Sequence, residues 1–156
     1  MRDQTYDVAV IGGGVIGLAI ARLFAISGLN CILLERGADI LSGASKGNSA
    51  LLHTGFDAPE GSLELQCMRA GYQEYLAIRR DLNLPLIESS AIVVAWTKAE
   101  KARLAGIVAR AHANGVEDVR EISDLELRLK EPRLARTALG GVLVPGEHVI
   151  DPWSAP

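Results

Sequence analysis

The stretch Asp7-Val-Ala-Val-Ile-Gly-Gly-Gly-Val-Ile-Gly17 decides how the rest of this chain is read. Its first five residues are an apolar, β-branched run, the pattern of a buried strand. Three consecutive glycines then turn the chain. From Val15 to Ser27 apolar and small residues continue at helical density, and Gly28 stands where a helix commonly ends. Cys31 to Leu34 is a second apolar run. A strand, a glycine turn, a helix and a strand within about 30 residues predict a βαβ unit with parallel strands.

The spacing Gly12-x-Gly14-x-x-Gly17 is common and says little alone. Its context here assigns each residue a task. Gly12 permits the tight turn, Gly14 leaves room for a pyrophosphate to approach the backbone, and Gly17 lets the helix pack close to the strand. The helix start at Val15 and Ile16 offers unpaired N–H groups and a positive dipole end to phosphates. Glu35, 21 residues beyond Gly14, is expected to accept hydrogen bonds from ribose hydroxyls. Ile11 and Arg36, next to the turn and the carboxylate, complete the expected contacts on this side. A carboxylate at position 35 repels a 2′-phosphate, so FAD or NAD is expected rather than NADP. It does not separate the first two.

The bulk numbers agree with such a reading. The chain has 156 residues, 49% hydrophobic and 22% charged, enough for one domain with its own core. A net charge of −3 and a pI near 5.6 argue against a nucleic-acid surface, which would show a basic patch or stripe. Cys31 and Cys67 lack CxxC spacing and are expected to be buried free thiols in a reducing compartment. Residues 6–25 could be mistaken for a secretory signal. No basic segment precedes them, and three glycines interrupt the apolar run, which is also too short to span a bilayer. A cytoplasmic protein is the default expectation, with peripheral contact at the inner membrane face left open.

Further along, Leu65, Met68, Tyr72, Leu76 and Leu82 fall on one helical stripe from about Glu64 to Asn83. Ser90 to Trp96 reads as a strand. Thr97-Lys-Ala-Glu100 is a capping box opening a helix to Asn114, stopped by Gly115. Ser123-Asp-Leu-Glu126 is a second box on a short helix ending before Pro132. Gly141 to Val144 is a strand and Pro145-Gly146 a turn. Asp151 to Pro156 has the wording of a helix start, so the chain is expected to be part of a longer protein. His112, mid-helix, and His148, in a turn, are expected to be solvated, without metal-ligand spacing. No metal site is expected.

The loop from Ser42 to Phe56 (SGASKGNSALLHTGF) then carries the discrimination. Backbone amides and short side chains at Ala44, Ser45, Asn48 and Ser49 suit phosphate and ribityl oxygens. Lys46 adds charge against a pyrophosphate, and Leu51 and Leu52 are apolar enough to pack on a flat ring. The run from Asp7 to Gly17, Gly28, Leu34-Glu35-Arg36, the Ser45-Lys46-x-Asn48-Ser49 and His53-Thr54-Gly55-Phe56 steps, Pro59-x-Gly61-Ser62-Leu63-Glu64, and the tail Gly140-Gly141 to Asp151-Pro152 together resemble the D-amino-acid-oxidase-like flavoenzyme superfamily. That superfamily includes glycerol-3-phosphate dehydrogenases, L-2-hydroxyglutarate oxidases and sarcosine-type enzymes. The resemblance covers essentially the whole chain.

It implies an α/β fold: a Rossmann-like FAD-binding domain of the glutathione-reductase type, with the beginning of a second, substrate-side α+β region. Residues 1–85 would form the FAD-binding unit, flavin loop and following helix. Residues 86–150 would begin the substrate side, and 151–156 would return toward the FAD domain. The cofactor implied is non-covalent FAD, with His53 beside the ring as the catalytic candidate. The implied reaction is oxidation of a small anionic secondary alcohol by hydride transfer, closest to glycerol-3-phosphate dehydrogenase. L-2-hydroxyglutarate and N-methyl amino acid chemistries are the alternatives, and an NAD-binding module or a non-catalytic flavoprotein subunit the rivals from other classes. The electron acceptor is left open among quinone, oxygen and a protein. No anion-binding pair or catalytic base is evident, and the chain alone is expected to hold FAD weakly and not to turn over.

Overall fold

The computed structural model describes residues 5–154 and divides into two compact units, one of residues 5–49 with 152–154 and one of residues 50–151. This division by compactness falls within the loop 42–56, whereas the sequence-based division at 85/86 separates the chain by expected role.

In the first unit, β1 (Val8–Ile11) and β2 (Cys31–Leu34) pair in parallel, from Val8↔Cys31 to Ile11↔Leu34, joined by α1 (Val15–Ile26). The βαβ unit is therefore present as expected. Its open end is tied by Asp7 and Asn30: the Asn30 N–H donates to the Asp7 carboxylate at 2.8 Å, and the Asp7 N–H to the Asn30 carbonyl at 2.8 Å. At the other end Gly12 turns with φ +107°, a conformation costly for any residue with a Cβ. Gly17 has a steric reason. A Cβ there would lie 1.9 Å from the Gly12 carbonyl oxygen and 3.5 Å from Val10 Cγ1.

The turn is stapled by Glu35. Its carboxylate accepts the Gly13 N–H at 2.6 Å and the Gly37 N–H at 2.6 Å. These bonds, the one from Gly37 foremost, hold the carboxyl below its usual value of 4.5. The Gly13 carbonyl in turn accepts the Leu41 N–H at 2.8 Å, so both backbone groups of Gly13 are engaged. The cysteine expectation is corrected: Cys31 is half-buried and Cys67, on the outer face of its helix, is exposed.

The second unit contains two three-stranded antiparallel sheets. In one, β8 (His148–Ile150) lies between β3 (Leu51–Leu52) and β4 (Leu86–Ile87). In the other, β7 (Gly141–Val144) lies between β5 (Ala91–Val94) and β6 (Arg120–Ile122). All four residues of β7 are buried, which explains its unbroken apolar sequence. Val142 and Val144 pack with Phe56, Leu104 and Ala111, whereas Leu143 joins Ile122, Leu127 and Ala138. Leu104 and Ala111 come from α4 (Leu104–Ala113) and Leu127 from α5 (Asp124–Lys130). A third cluster sets Leu52 against Leu84 and Tyr75 of α2 (Leu63–Ile78).

Several boundaries differ from the sequence reading. The helix expected to reach Asn83 ends at Ile78, where the Leu84 N–H folds back onto the Arg79 carbonyl at 2.8 Å and Asn83 takes φ +53°. The helix expected from Thr97 to Asn114 is two, α3 (Lys98–Lys101) and α4, separated at Ala102-Arg103. Bonds three residues back, from Arg103 to Glu100 and from Gly106 to Arg103, tighten the chain there. The Thr97 box is reciprocal with Glu100. At Ser123 half of the box forms: Ser123 Oγ accepts the Glu126 N–H, while the Glu126 carboxylate is held by Arg120 instead. Pro152 to Ser154 form a turn, and the rest of the expected terminal helix lies outside the described residues.

Asn114 does more than end α4. Buried to 1% exposure, its Nδ2 donates to the carbonyls of Gly55 at 2.8 Å, Ala58 at 2.9 Å and, more weakly, Phe56 at 3.4 Å. It therefore clamps the loop that follows His53. Two outcomes follow from these contacts. Asn114→Ala leaves buried carbonyls without their donor and should lower stability by about 1–3 kcal/mol in denaturant titrations. For Glu35 the folded value is depressed, so its stabilisation is complete above about pH 4.5 and fades as pH falls through the folded value. The stability gap between wild type and Glu35→Gln should accordingly be constant above pH 4.5 and shrink below it. A gap that widens on acidification would contradict the staple.

Candidate functional site

Beside the glycine turn, the first unit holds a cleft of about 270 Å³ lined by Gly14, Glu35, Arg36, Ala44 and Ser45, together with Gly37, Leu41, Ser42 and Gly43. Five residues singled out from sequence thus share one wall system. Of the other four, Gly37 directly follows Arg36, and Leu41, Ser42 and Gly43 lead into Ala44. Leu41 is 4% exposed and sits at φ +58°, an unusual conformation for a bulky residue. Its N–H bond to Gly13 ties this segment to the turn.

Helix α1 begins at Val15 with no acidic residue in its own first turn; the charge nearest its positive end is the Glu35 carboxylate on the Gly13 N–H. The Val15 N–H is met by Ser45 Oγ at 3.1 Å. A Cβ on Gly14 would stand 3.3 Å from the same hydroxyl. Ser45 lies in a 3₁₀ turn, Ala44–Lys46, whose Ser45 carbonyl accepts Asn48 Nδ2 at 3.1 Å. Gly12, Ile16 and Gly17 build the turn and helix start. Ile11, Lys46, Asn48 and Ser49 lie outside the cleft lining.

Leu52 and His53 belong to the second unit, where a different constellation forms. The pairing Leu52↔His148 brings His53 opposite Glu147 just beyond the ladder. Glu147 is 2% exposed. Its Oε2 accepts His53 Nδ1 at 2.9 Å, and its Oε1 accepts both the Thr54 N–H at 2.6 Å and Thr54 Oγ1 at 2.8 Å. Nδ1 is thus the ring nitrogen that faces the Glu147 carboxyl group. The His53 side chain is 39% exposed, and its Nε2 has no hydrogen bond to a described residue. Gly146 permits the approach: a Cβ there would lie 2.8 Å from Thr54 Cγ2. Tyr72 secures the same turn, donating its hydroxyl to the Gly146 carbonyl at 2.9 Å. Burial, followed by the negative charges of Asp118, Glu147 and Glu88, pushes the Tyr72 phenol up.

Glu147 carries no signal in the sequence. It lies in a Pro-Gly turn, 94 residues from His53, and only the strand pairing joins them. One other histidine expectation, that for His148, is corrected. His148 is in β8, not a turn, and its Nδ1 is buried without a hydrogen-bond partner. His112 is exposed, but its Nε2 bonds the Val119 carbonyl at 2.8 Å. The second unit also has a cavity of about 480 Å³ lined by Thr54, Arg69, Tyr72, Asn114 and Asp118 among others; neither His53 nor Glu147 is in its walls. No group of three metal-ligating side chains occurs among the described residues, and no described helix is long and apolar enough to cross a membrane.

Comparison with known proteins gives a consistent answer. A glycerol 3-phosphate dehydrogenase of Caloramator mitchellensis is 30% identical over 148 residues, covering 95% of this chain and 31% of that protein. An L-2-hydroxyglutarate dehydrogenase of Indibacter alkaliphilus is 29% identical, covering 94% of the chain and 37% of its own length. Among solved structures, the FAD-bound L-α-glycerophosphate oxidase of Mycoplasma pneumoniae superposes with a TM-score of 0.81 at 28% identity, over 96% of this chain and 40% of that one. Glycine oxidase of Bacillus cereus gives 0.77 at 30% identity, over 94% and 40%. The chain therefore spans between 31% and 40% of the length of these relatives. The family described as FAD dependent oxidoreductase, DAO, matches residues 7–155. With its parallel βαβ unit, its stapled glycine turn and this match along nearly its whole length, the chain belongs to the DAO family of FAD-dependent oxidoreductases.

Proposed function

We propose that this chain supplies the FAD-holding part of an enzyme that oxidises a small anionic secondary alcohol, sn-glycerol 3-phosphate first and L-2-hydroxyglutarate second. The observation that carries the cofactor reading is the Glu35 carboxylate, fixed at the cleft by two backbone N–H groups. Its remaining lone pairs suit a ribose diol and repel a 2′-phosphate. The donor set beside it fits a pyrophosphate: a glycine turn, a helix start without acidic residues, and the Ser45 hydroxyl. Ala44, Lys46, Asn48 and Ser49 are proposed to contact the phosphate and ribityl oxygens, and Ile11, Arg36 and Leu52 to complete the site. The choice of alcohol follows the relatives, whose names point to such substrates.

Bound FAD supplies the two-electron acceptor for the substrate carbon. The chain's own contribution is His53, proposed as the base that takes the hydroxyl proton. Its Nδ1–H is engaged by Glu147, leaving the Nε2 lone pair as the acceptor. As the substrate O–H bond breaks, its proton passes to the Nε2 lone pair, and the electron pair left on oxygen would form the carbonyl as bound FAD took up the hydride. The proton then resides on Nε2 of a side chain that is 39% exposed. Because Nε2 is used in this way, FAD is proposed to be held without a covalent link.

The full-length protein carrying this chain decides the matter. Purified, it should show a flavin spectrum that acid precipitation releases as free FAD. Glycerol 3-phosphate should bleach the spectrum fastest, ahead of 2-hydroxyglutarate and N-methyl amino acids, with oxygen, a quinone and a redox protein tried as reoxidants. Bleaching by NADH alone would overturn the alcohol reading. His53→Asn should keep its flavin and lose about 10²–10⁴-fold in kcat; an unchanged kcat would remove His53 as the base.

A further inference from the structure

Three candidates stand outside the reaction as described: the 480 Å³ cavity of the second unit, the buried Nδ1 of His148, and the buried carboxylate of Glu147. The cavity mixes one arginine with two acidic side chains and shows no preference for a ligand charge. His148 Nδ1 lacks any partner from which a role could be argued. Glu147 makes three defined hydrogen bonds to two residues, one of them His53, whose Nε2 has no hydrogen bond to a described residue.

From this geometry we infer that Glu147 is a positioning residue, which holds His53 in the Nδ1–H tautomer with Nε2 unprotonated and turned away from the carboxylate. The inference rests on the proposed role of His53 for its catalytic meaning, but not for its structural content.

Three features support it. The carboxylate is nearly inaccessible to water, so its direction is set by the protein. Its Oε1 is fully engaged by one residue, through the Thr54 N–H and Thr54 Oγ1, which anchors the carboxylate against rotation and leaves Oε2 aimed at His53. The anchoring residue Thr54 directly follows the histidine, so the ring and the anchor of the carboxylate that faces it are one peptide bond apart. The backbone is built for the contact as well. Gly146 leaves room for Thr54, Tyr72 holds the Gly146 carbonyl, and Asn114 holds the Gly55 carbonyl. An imidazole whose one nitrogen donates to a fixed carboxylate presents the other as an acceptor, because a neutral ring carries one N–H. For an alcohol substrate that is the form needed to receive a proton, since the alternative tautomer would present an N–H to the hydroxyl.

The readout separates this inference from the function. In the full-length flavoprotein labelled with ¹⁵N-histidine, at a pH where the ring is neutral, the His53 ring nitrogens should give the Nδ1–H pattern. Glu147→Gln should convert it to a mixture or to the Nε2–H form. Leu127→Ala, in a buried cluster that contains neither His53 nor Glu147, should keep the Nδ1–H pattern even if thermal stability falls equally. In turnover, Glu147→Gln should lose at least about tenfold in kcat with KM little changed, more than Leu127→Ala at matched stability. An Nε2–H pattern in the wild type overturns the inference, and this arm needs no variant to fold. The same pattern in wild type and Glu147→Gln overturns it too, as does equal behaviour of Glu147→Gln and Leu127→Ala in tautomer and kcat. If His53→Asn left turnover unchanged while the wild-type ring showed Nδ1–H, the base assignment would fail and the positioning would stand.

Discussion

The helix α1 starts against the carbonyl oxygen of Gly12 with no space for a methyl group at position 17. Everything in the first unit depends on that contact. It fixes where the helix N-terminus points, and hence where its positive end meets the cleft. It also sets the height of the turn, so that the Gly13 N–H reaches the Glu35 carboxylate and the Gly13 carbonyl meets the Leu41 N–H. One absent side chain thus organises a strand end, a helix start, an acidic residue and a returning loop. The arrangement is paid for in conformational freedom: Gly12 and Leu41 both hold positive φ.

The second unit solves a similar problem with different means. Its loop 53–58 leaves several carbonyls and N–H groups without strand partners, and buried side chains take them up. Asn114 supplies donors to the carbonyls after His53, and Glu147 supplies acceptors to Thr54. The polar side chains are buried because the backbone they serve is buried, as unmade hydrogen bonds there are costly. A consequence is that the one titratable ring in the loop is held by the same carboxylate that satisfies the backbone. Structural and chemical roles share an atom set.

Much of the first unit was legible in the residues. The β-branched run, the glycine spacing and the acidic residue at the end of the second strand act over short distances, so local chemistry determined them. The capping box at Thr97, the strand at Gly141–Val144 and the turn at Pro145-Gly146 were readable for the same reason. What escaped were the elements whose identity comes from partners far along the chain. The strands at Leu51–Leu52 and Leu86–Ile87 are two residues each and exist through pairing with His148–Ile150. Asn114 reads in the sequence as a helix end and Glu126 as the second half of a capping box, while Glu147 is not singled out at all. Each is instead used by a group that sequence order does not place beside it. The break between Lys101 and Leu104 was hidden by an uninterrupted run of good helix formers.

The chain is thus read as a nucleotide-binding turn stapled by Glu35 and, in a separate unit, a histidine held by a buried carboxylate. The central claim is that the first feature holds the dinucleotide of FAD. A crystal structure of the full-length flavoprotein tests it most directly. The account predicts the pyrophosphate at the start of α1, with a ribose hydroxyl on Glu35. A dinucleotide bound elsewhere would contradict it.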